Sequence, residues 1–148
     1  MNTNEYIRRY QVAFQRVYRQ VNQMIKEYID ADITTDQFQL LQYVGQMKEV
    51  TSTEISQHFG VGKSSVTAIV NRLVDKELIM RERNISDRRF FHLRLTERGE
   101  AIVEKTEAEI NKYINETLEH FDEERTKLFI EDLEKLSYLM EETTKGDL

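Results

Sequence analysis

GVGKSSVTAIVNRLVDKELIMRERNISDRRFFHLRLTERG, residues 60–99, changes its period halfway along, and that change decides the fold. In its first half Val66, Ile69, Val70 and Leu73 recur at helical spacing. In its second half Arg89, Phe91, Leu93 and Leu95 alternate with Phe90, His92 and Arg94, the two-residue repeat of a strand. The spacing predicts a helix from Lys63, a strand over 79–83, a connecting loop over 84–88 and a return strand. Gly60-Val61-Gly62 predicts a tight turn ahead of the helix.

Working outward, two helix starts precede this stretch. Thr34 with Gln37, and Thr51 with Glu54, each match the capping-box pattern. The helices they open carry Phe38, Leu41 and Val44, then Ile55 and Phe59. Before them, Ile7, Tyr10, Phe14, Val17, Val21, Met24 and Tyr28 repeat at three-four spacing, one stripe of a long helix. Tyr6, Ala13, Tyr18, Ile25 and Ile29 widen it beyond what a small domain covers. After the hairpin, Thr96 caps a helix bearing Ile102, Ile110, Tyr113, Ile114 and Leu118. Asp122 caps a last one bearing Leu128, Phe129, Leu133, Leu136 and Met140. The expected fold is mainly α: a winged helix-turn-helix with a two-stranded β wing and long N- and C-terminal helices. Residues 33–96 form the DNA-binding domain in this reading, and 1–32 with 97–148 form the helical dimerisation region.

Composition narrows the function. The 148 residues include no Cys and no Pro, which excludes disulfides and thiolate chemistry and favours unbroken helices. No apolar run approaches the length of a membrane span, and the N-terminus lacks a secretory leader, so the expected location is the cytoplasm. The formal charge is −6, yet residues 63–98 hold nine basic and five acidic side chains, net +4. Six of those, Arg81, Arg83, Arg88, Arg89, Arg94 and Arg98, fall within residues 80–98. Concentrated cations on one short segment of an acidic chain are the electrostatic footprint of a phosphate-contacting surface.

The helix beginning at Lys63 presents Lys63, Ser64, Ser65, Thr67, Ala68, Asn71 and Arg72 opposite its apolar face. Small polar side chains of this kind suit a major groove about 12 Å wide. Ser64, Ser65 and Thr67 reach phosphates or base edges, Ala68 suits a thymine methyl, and Asn71 suits adenine. Gly62 at the N-cap leaves backbone N–H groups open to a phosphate.

Asp87-Arg88-Arg89 followed by Leu93, Leu95, Thr96 and Gly99, a DRR-to-LTERG run, resembles the wing of the MarR family of bacterial transcriptional regulators. The upstream VTSTEISQHFGVGKSSVTAIVNRLVDKELIMRE shares the family's spacing, so the resemblance covers essentially the whole chain. It implies a homodimer with intertwined terminal helices, each winged lobe reading half of a pseudo-palindromic operator. It also implies that Asp87 pairs with Arg89 and places it in the minor groove; Arg83 and Arg88 are further DNA-binding candidates on the wing. Family members usually repress efflux, detoxification or catabolic genes and release DNA when a small anionic or phenolic effector binds. The chain departs from the family at Glu77, where glycine is common, at Ala68, where a polar or basic residue is common, and in a wing loop without proline.

An effector cleft is expected near Tyr10, Phe14, Phe38 and Tyr43, with Tyr6 beside them. No cofactor or metal is implied: His58, His92 and His120 lack paired ligand spacing, and His92 is expected as a surface residue of the wing. The absence of cysteine excludes the family's thiol-based peroxide sensing. No hydrolase, metalloprotease or phosphate-loop motif is present, so no enzyme is expected. The alternative is a winged helix that contacts only protein.

Overall fold

The computed structural model describes residues 2–30 and 32–146. The chain runs α1 (Thr3–Tyr28), α2 (Thr35–Met47), α3 (Ser52–Phe59), α4 (Lys63–Asp75), β1 (Ile79–Arg83), β2 (Phe91–Leu95), α5 (Glu97–Leu118) and α6 (Glu123–Lys145). The strands pair antiparallel with Ile79 opposite Leu95 and Arg83 opposite Phe91. Val50 adds a single bridge on the free side of β2: Leu93 N donates to Val50 O at 2.7 Å, and Val50 N to Leu93 O at 3.3 Å.

Packing divides the chain into a unit of residues 1–110 and a unit of residues 111–148, so the break lies inside α5. The first unit contains one core. Phe38, Leu41 and Val44 from α2 meet Ile55 from α3, Val66, Val70 and Leu73 from α4, and Leu93 from β2. Leu78, Ile79, Val50 and Val103 close it. Each of these residues is at least nine-tenths buried, so the helix-turn-helix and the wing share one apolar interior.

Local chemistry fixes the element ends. Both predicted capping boxes form: Gln37 N donates to Thr34 Oγ1 at 3.2 Å, and Glu54 N to Thr51 Oγ1 at 3.2 Å. Asp122 accepts from Arg125 N at 2.8 Å and starts α6. Gly60 ends α3 in the left-handed region at φ 63°, which turns the chain into α4. Glu77 adopts the same region at φ 60°, directly after α4, where a glycine would carry no Cβ penalty. The Glu77 carbonyl then accepts from Thr96 Oγ1 at 2.6 Å, while the same hydroxyl accepts from Gly99 N at 3.0 Å. One threonine thus caps α5 and ties it to the end of α4. Gly99 sits so close to this junction that a Cβ there would lie 2.2 Å from the Leu78 carbonyl oxygen.

Much of α1 is not covered in the single chain. Tyr6, Ile7, Tyr10, Phe14, Val17 and Tyr18 are between 44% and 61% exposed, and burial begins only at Met24 and Ile25. The second unit is barer still: α6 buries no residue, and Leu128, Phe129, Leu133 and Met140 are exposed along it.

Candidate nucleic-acid interface

Val66, Val70 and Leu73 anchor α4 in the core, and this fixes which side of the helix faces outward. Lys63, Ser64, Ser65, Thr67, Ala68, Asn71 and Arg72 are all exposed. Gly62 is the N-cap and supplies no side-chain cap, so the first-turn N–H groups keep their capacity for an anion. Two side chains are less free than the sequence suggests. Thr67 Oγ1 donates to Lys63 O at 2.8 Å, which leaves the hydroxyl oxygen as an acceptor. Asn71 Oδ1 accepts from an Arg81 guanidinium N–H, which leaves the Asn71 amide N–H₂ as its remaining donor.

Arg81 reaches Asn71 because of strand alternation. Ile79, Arg81 and the opposite residues Leu93 and Leu95 share one face of the hairpin, and that face packs on the helix-turn-helix. The sequence marked Arg81 only as one of several wing cations. Its place between Ile79 and Arg83 on a two-residue repeat was the signal that it faces the helix.

At the wing, Arg89 grips Asp87 with a two-pronged bond: Nε donates to Oδ1 at 3.0 Å, and a terminal nitrogen donates to Oδ2 at 2.8 Å. The Arg89 backbone N–H adds a third contact to Oδ1 at 3.1 Å. The Arg89 side-chain bonds, and then its backbone N–H, hold the Asp87 carboxyl below the ordinary carboxylate range. The same pairing raises the guanidinium further above its already high range. Arg89 nevertheless remains 84% exposed, so it is aimed without being covered. Its guanidinium lies 6.0 Å from the centre of the Phe90 ring, and that of Arg83 lies 5.2 Å from the Phe91 ring. Arg83 and Arg88 are exposed beside it.

The loop that carries this pair is longer than the alternation predicts. Residues Phe90 and Arg89 lie outside β2, and Asn84 N closes the loop by donating to Phe90 O at 2.9 Å. Asn84 also organises it from within. Its Oδ1 accepts from Ser86 N at 2.8 Å and from Asp87 N at 3.2 Å, the local turn chemistry that asparagine favours. Asn84 carries no periodic or motif signal in the sequence. Its residue type at the first loop position was the available clue. His92 also departs from expectation: its side chain is only 24% exposed and contacts Asn84.

The four aromatic candidates for an effector cleft fall into different settings. Phe38 is fully buried in the core. Tyr43 stacks on His58 at 3.9 Å between ring centres, with Phe59 edge-on at 5.6 Å. Tyr10 and Phe14 stack on each other at 5.9 Å along the uncovered part of α1. A cavity of about 420 Å³ is lined instead by Gln42, Lys48, Arg94, Glu100, Glu104 and Glu107, among others.

A sequence model described as MarR family matches residues 31–89, which span α2 through the Asp87–Arg89 pair. The HTH-type transcriptional regulator YpoP of Bacillus subtilis is 28% identical over 119 residues, covering 80% of this chain and 74% of YpoP. Among solved structures, a MarR family protein from Bacillus stearothermophilus has a TM-score of 0.84 at 24% identity, covering 95% of this chain and 99% of its own. Streptococcus pneumoniae FabT, solved in complex with DNA, has a TM-score of 0.81 at 22% identity, covering 93% of this chain and 99% of its own. With the helix-turn-helix, the two-stranded wing and the aimed Asp87–Arg89 pair already in place, these likenesses give one conclusion. Residues 31–89 match the MarR family, and the fold of the chain is that of the solved MarR-family proteins.

Proposed function

We propose that the protein works in the cytoplasm as a homodimeric repressor that binds a pseudo-palindromic operator. The observation that carries this reading is the exposed Arg89 guanidinium, held by Asp87 on the wing beside an outward-facing polar helix. A narrow A·T-rich minor groove has enhanced negative potential, and a pre-aimed guanidinium enters it at little cost in side-chain freedom. Lys63, Ser64, Ser65, Thr67, Ala68, Asn71 and Arg72 lie in the major groove in this account, with Arg83 and Arg88 on phosphates. With Oδ1 engaged by Arg81, Asn71 offers only donors, which suit guanine N7 and O6 or thymine O4 better than the paired edge of adenine.

Dimerisation is supported by the uncovered apolar residues of α1 and α6, since a monomer gains nothing by exposing so many large side chains on two helices. Response to a small anionic or phenolic effector rests on the likeness to the MarR family. A second reading, a winged helix that contacts protein, draws support from Ile85 and Phe90 on the wing, which are 99% and 51% exposed.

Selection from a random duplex pool separates the two readings. The DNA-binding dimer enriches an inverted repeat whose half-sites lie about 10 bp apart, one helical turn. A pool that stays random through successive rounds supports the protein-contact reading instead.

A further inference from the structure

Asn84 poses a constraint that reaches beyond the wing. Its Oδ1 is committed to two backbone N–H groups, those of Ser86 and Asp87. The amide therefore cannot turn over, and its Nδ2 must be the atom that faces His92. Nδ2 lies 2.6 Å from His92 Nε2. An amide nitrogen can only donate, so Nε2 must carry a lone pair and the ring proton must sit on Nδ1. Nδ1 is buried without a hydrogen-bond partner, with Glu49 Oε1 3.8 Å away.

We propose that His92 is a positioning residue for the wing: its neutral, Nδ1-protonated ring holds Asn84, and uptake of a second proton releases the loop that aims Asp87 and Arg89. A proton from solvent takes the Nε2 lone pair, and two donors then face each other across the former bond. The amide has no second orientation to offer without breaking the two bonds that shape the loop. Because the Asp87 backbone N–H is one of those two, the disturbance passes directly to the carboxylate that orients Arg89.

Three charged groups share this surface. Glu49, on the segment between α2 and α3, lies with its carboxylate 3.8 Å from Nδ1. Glu82 stands opposite His92 on β1, and Arg94 follows on β2; these two pair with each other at 3.3 Å. Glu49 therefore holds the protonated ring in place while its other edge repels Asn84. By linkage, DNA that needs the ordered wing is bound more weakly as pH falls, and bound DNA makes the ring harder to protonate.

The inference rests on the DNA-binding reading, and the test keeps the two apart. Duplex enriched from the random pool is titrated by anisotropy between about pH 8 and pH 5.5, the range in which imidazoles exchange charge. The full-length protein is expected to lose about five- to tenfold in affinity on acidification, the worth of roughly one net hydrogen bond. His92→Gln, whose amide oxygen accepts the Asn84 bond at every pH, is expected to flatten the profile. Asn84→Asp, which offers the protonated ring an acceptor, is expected to reverse its slope.

A wild-type profile that is flat, or an acid loss that His92→Gln leaves intact, overturns the latch while leaving DNA binding in place. Absence of binding at every pH instead overturns the DNA reading. Nitrogen-15 shifts of the His92 ring at pH 8 check the geometry without DNA: a protonated Nδ1 supports the latch, and a protonated Nε2 refutes it.

Discussion

At the scale of single residues, the wing shows how little material is needed to aim a charge. Asp87 and Arg89 are two positions apart at the surface, with Arg89 largely exposed, so their pairing adds little to stability. Its value lies in orientation. The carboxyl titrates below its ordinary range, so the pair forms above that range and is lost only as pH falls through the lowered value. Between pH 5 and 8 the charges of the pair itself do not change, so acid effects in that window come from other groups acting on it. Arg89→Ala is expected to weaken operator binding about tenfold or more and to relax preference for A·T-rich flanks, as read by anisotropy on variant duplexes. Affinity unchanged by that substitution would remove the wing from DNA recognition. Glu77 offers a stability test at the same scale. Releasing a side chain from the left-handed region gains about 1–2 kcal/mol, and the looser unfolded chain of a glycine variant returns about 0.4–1 kcal/mol. Glu77→Gly should therefore raise Tm by roughly 2 °C in a thermal melt. At Glu77 the sequence departs from the MarR family it resembles, where glycine is common, and φ 60° supplies the physical reason for that preference.

At the scale of elements, the caps and periods were legible because they are local. Thr34, Thr51 and Asp122 each lie three residues from the N–H they satisfy, so sequence spacing alone identifies them. What was not legible depends on contacts across the chain. Arg81 meets Asn71 on another element, and the commitment of Asn71 Oδ1 changes the base edge it suits. Gly99 is similar: it stood in the sequence as part of a recognised wing run, but its physical role is the close approach of α5 to the Leu78 backbone. The obstacle to a Cβ there is a backbone carbonyl and not a movable side-chain end. Gly99→Ala is thus expected to cost roughly 3 kcal/mol, at the upper end of overpacking penalties, in chemical denaturation. A cost below about 0.5 kcal/mol, the scale of neutral surface changes, would show that α5 can shift away freely.

At the scale of the whole molecule, the chain combines a small, complete core with helices whose apolar faces are uncovered. The three-four repeat of α1 was visible in the sequence, and so was its excess of aromatic residues. The repeat does not say what covers it, because an apolar stripe meets a neighbouring helix and a second subunit by the same chemistry. The aromatics placed in an effector cleft illustrate the same ambiguity. Phe38 serves the core, and Tyr10 and Phe14 lie on the bare stretch of α1. Removal of residues before Val21 is expected to convert a dimer into a monomer in sedimentation experiments. A monodisperse dimer from that truncated chain would contradict the assignment of α1 to the interface.

The central claim is that an acidic protein concentrates its cations on one surface to hold DNA selectively. Fluorescence anisotropy tests it most directly, with the intact protein against the DNA upstream of its own gene and a scrambled duplex of equal composition, at low and moderate salt. The account predicts tight binding to the first, binding weaker by about 10³-fold or more to the second, and affinity that falls steeply as salt rises. Equal affinity for both duplexes, or affinity indifferent to salt, would contradict it.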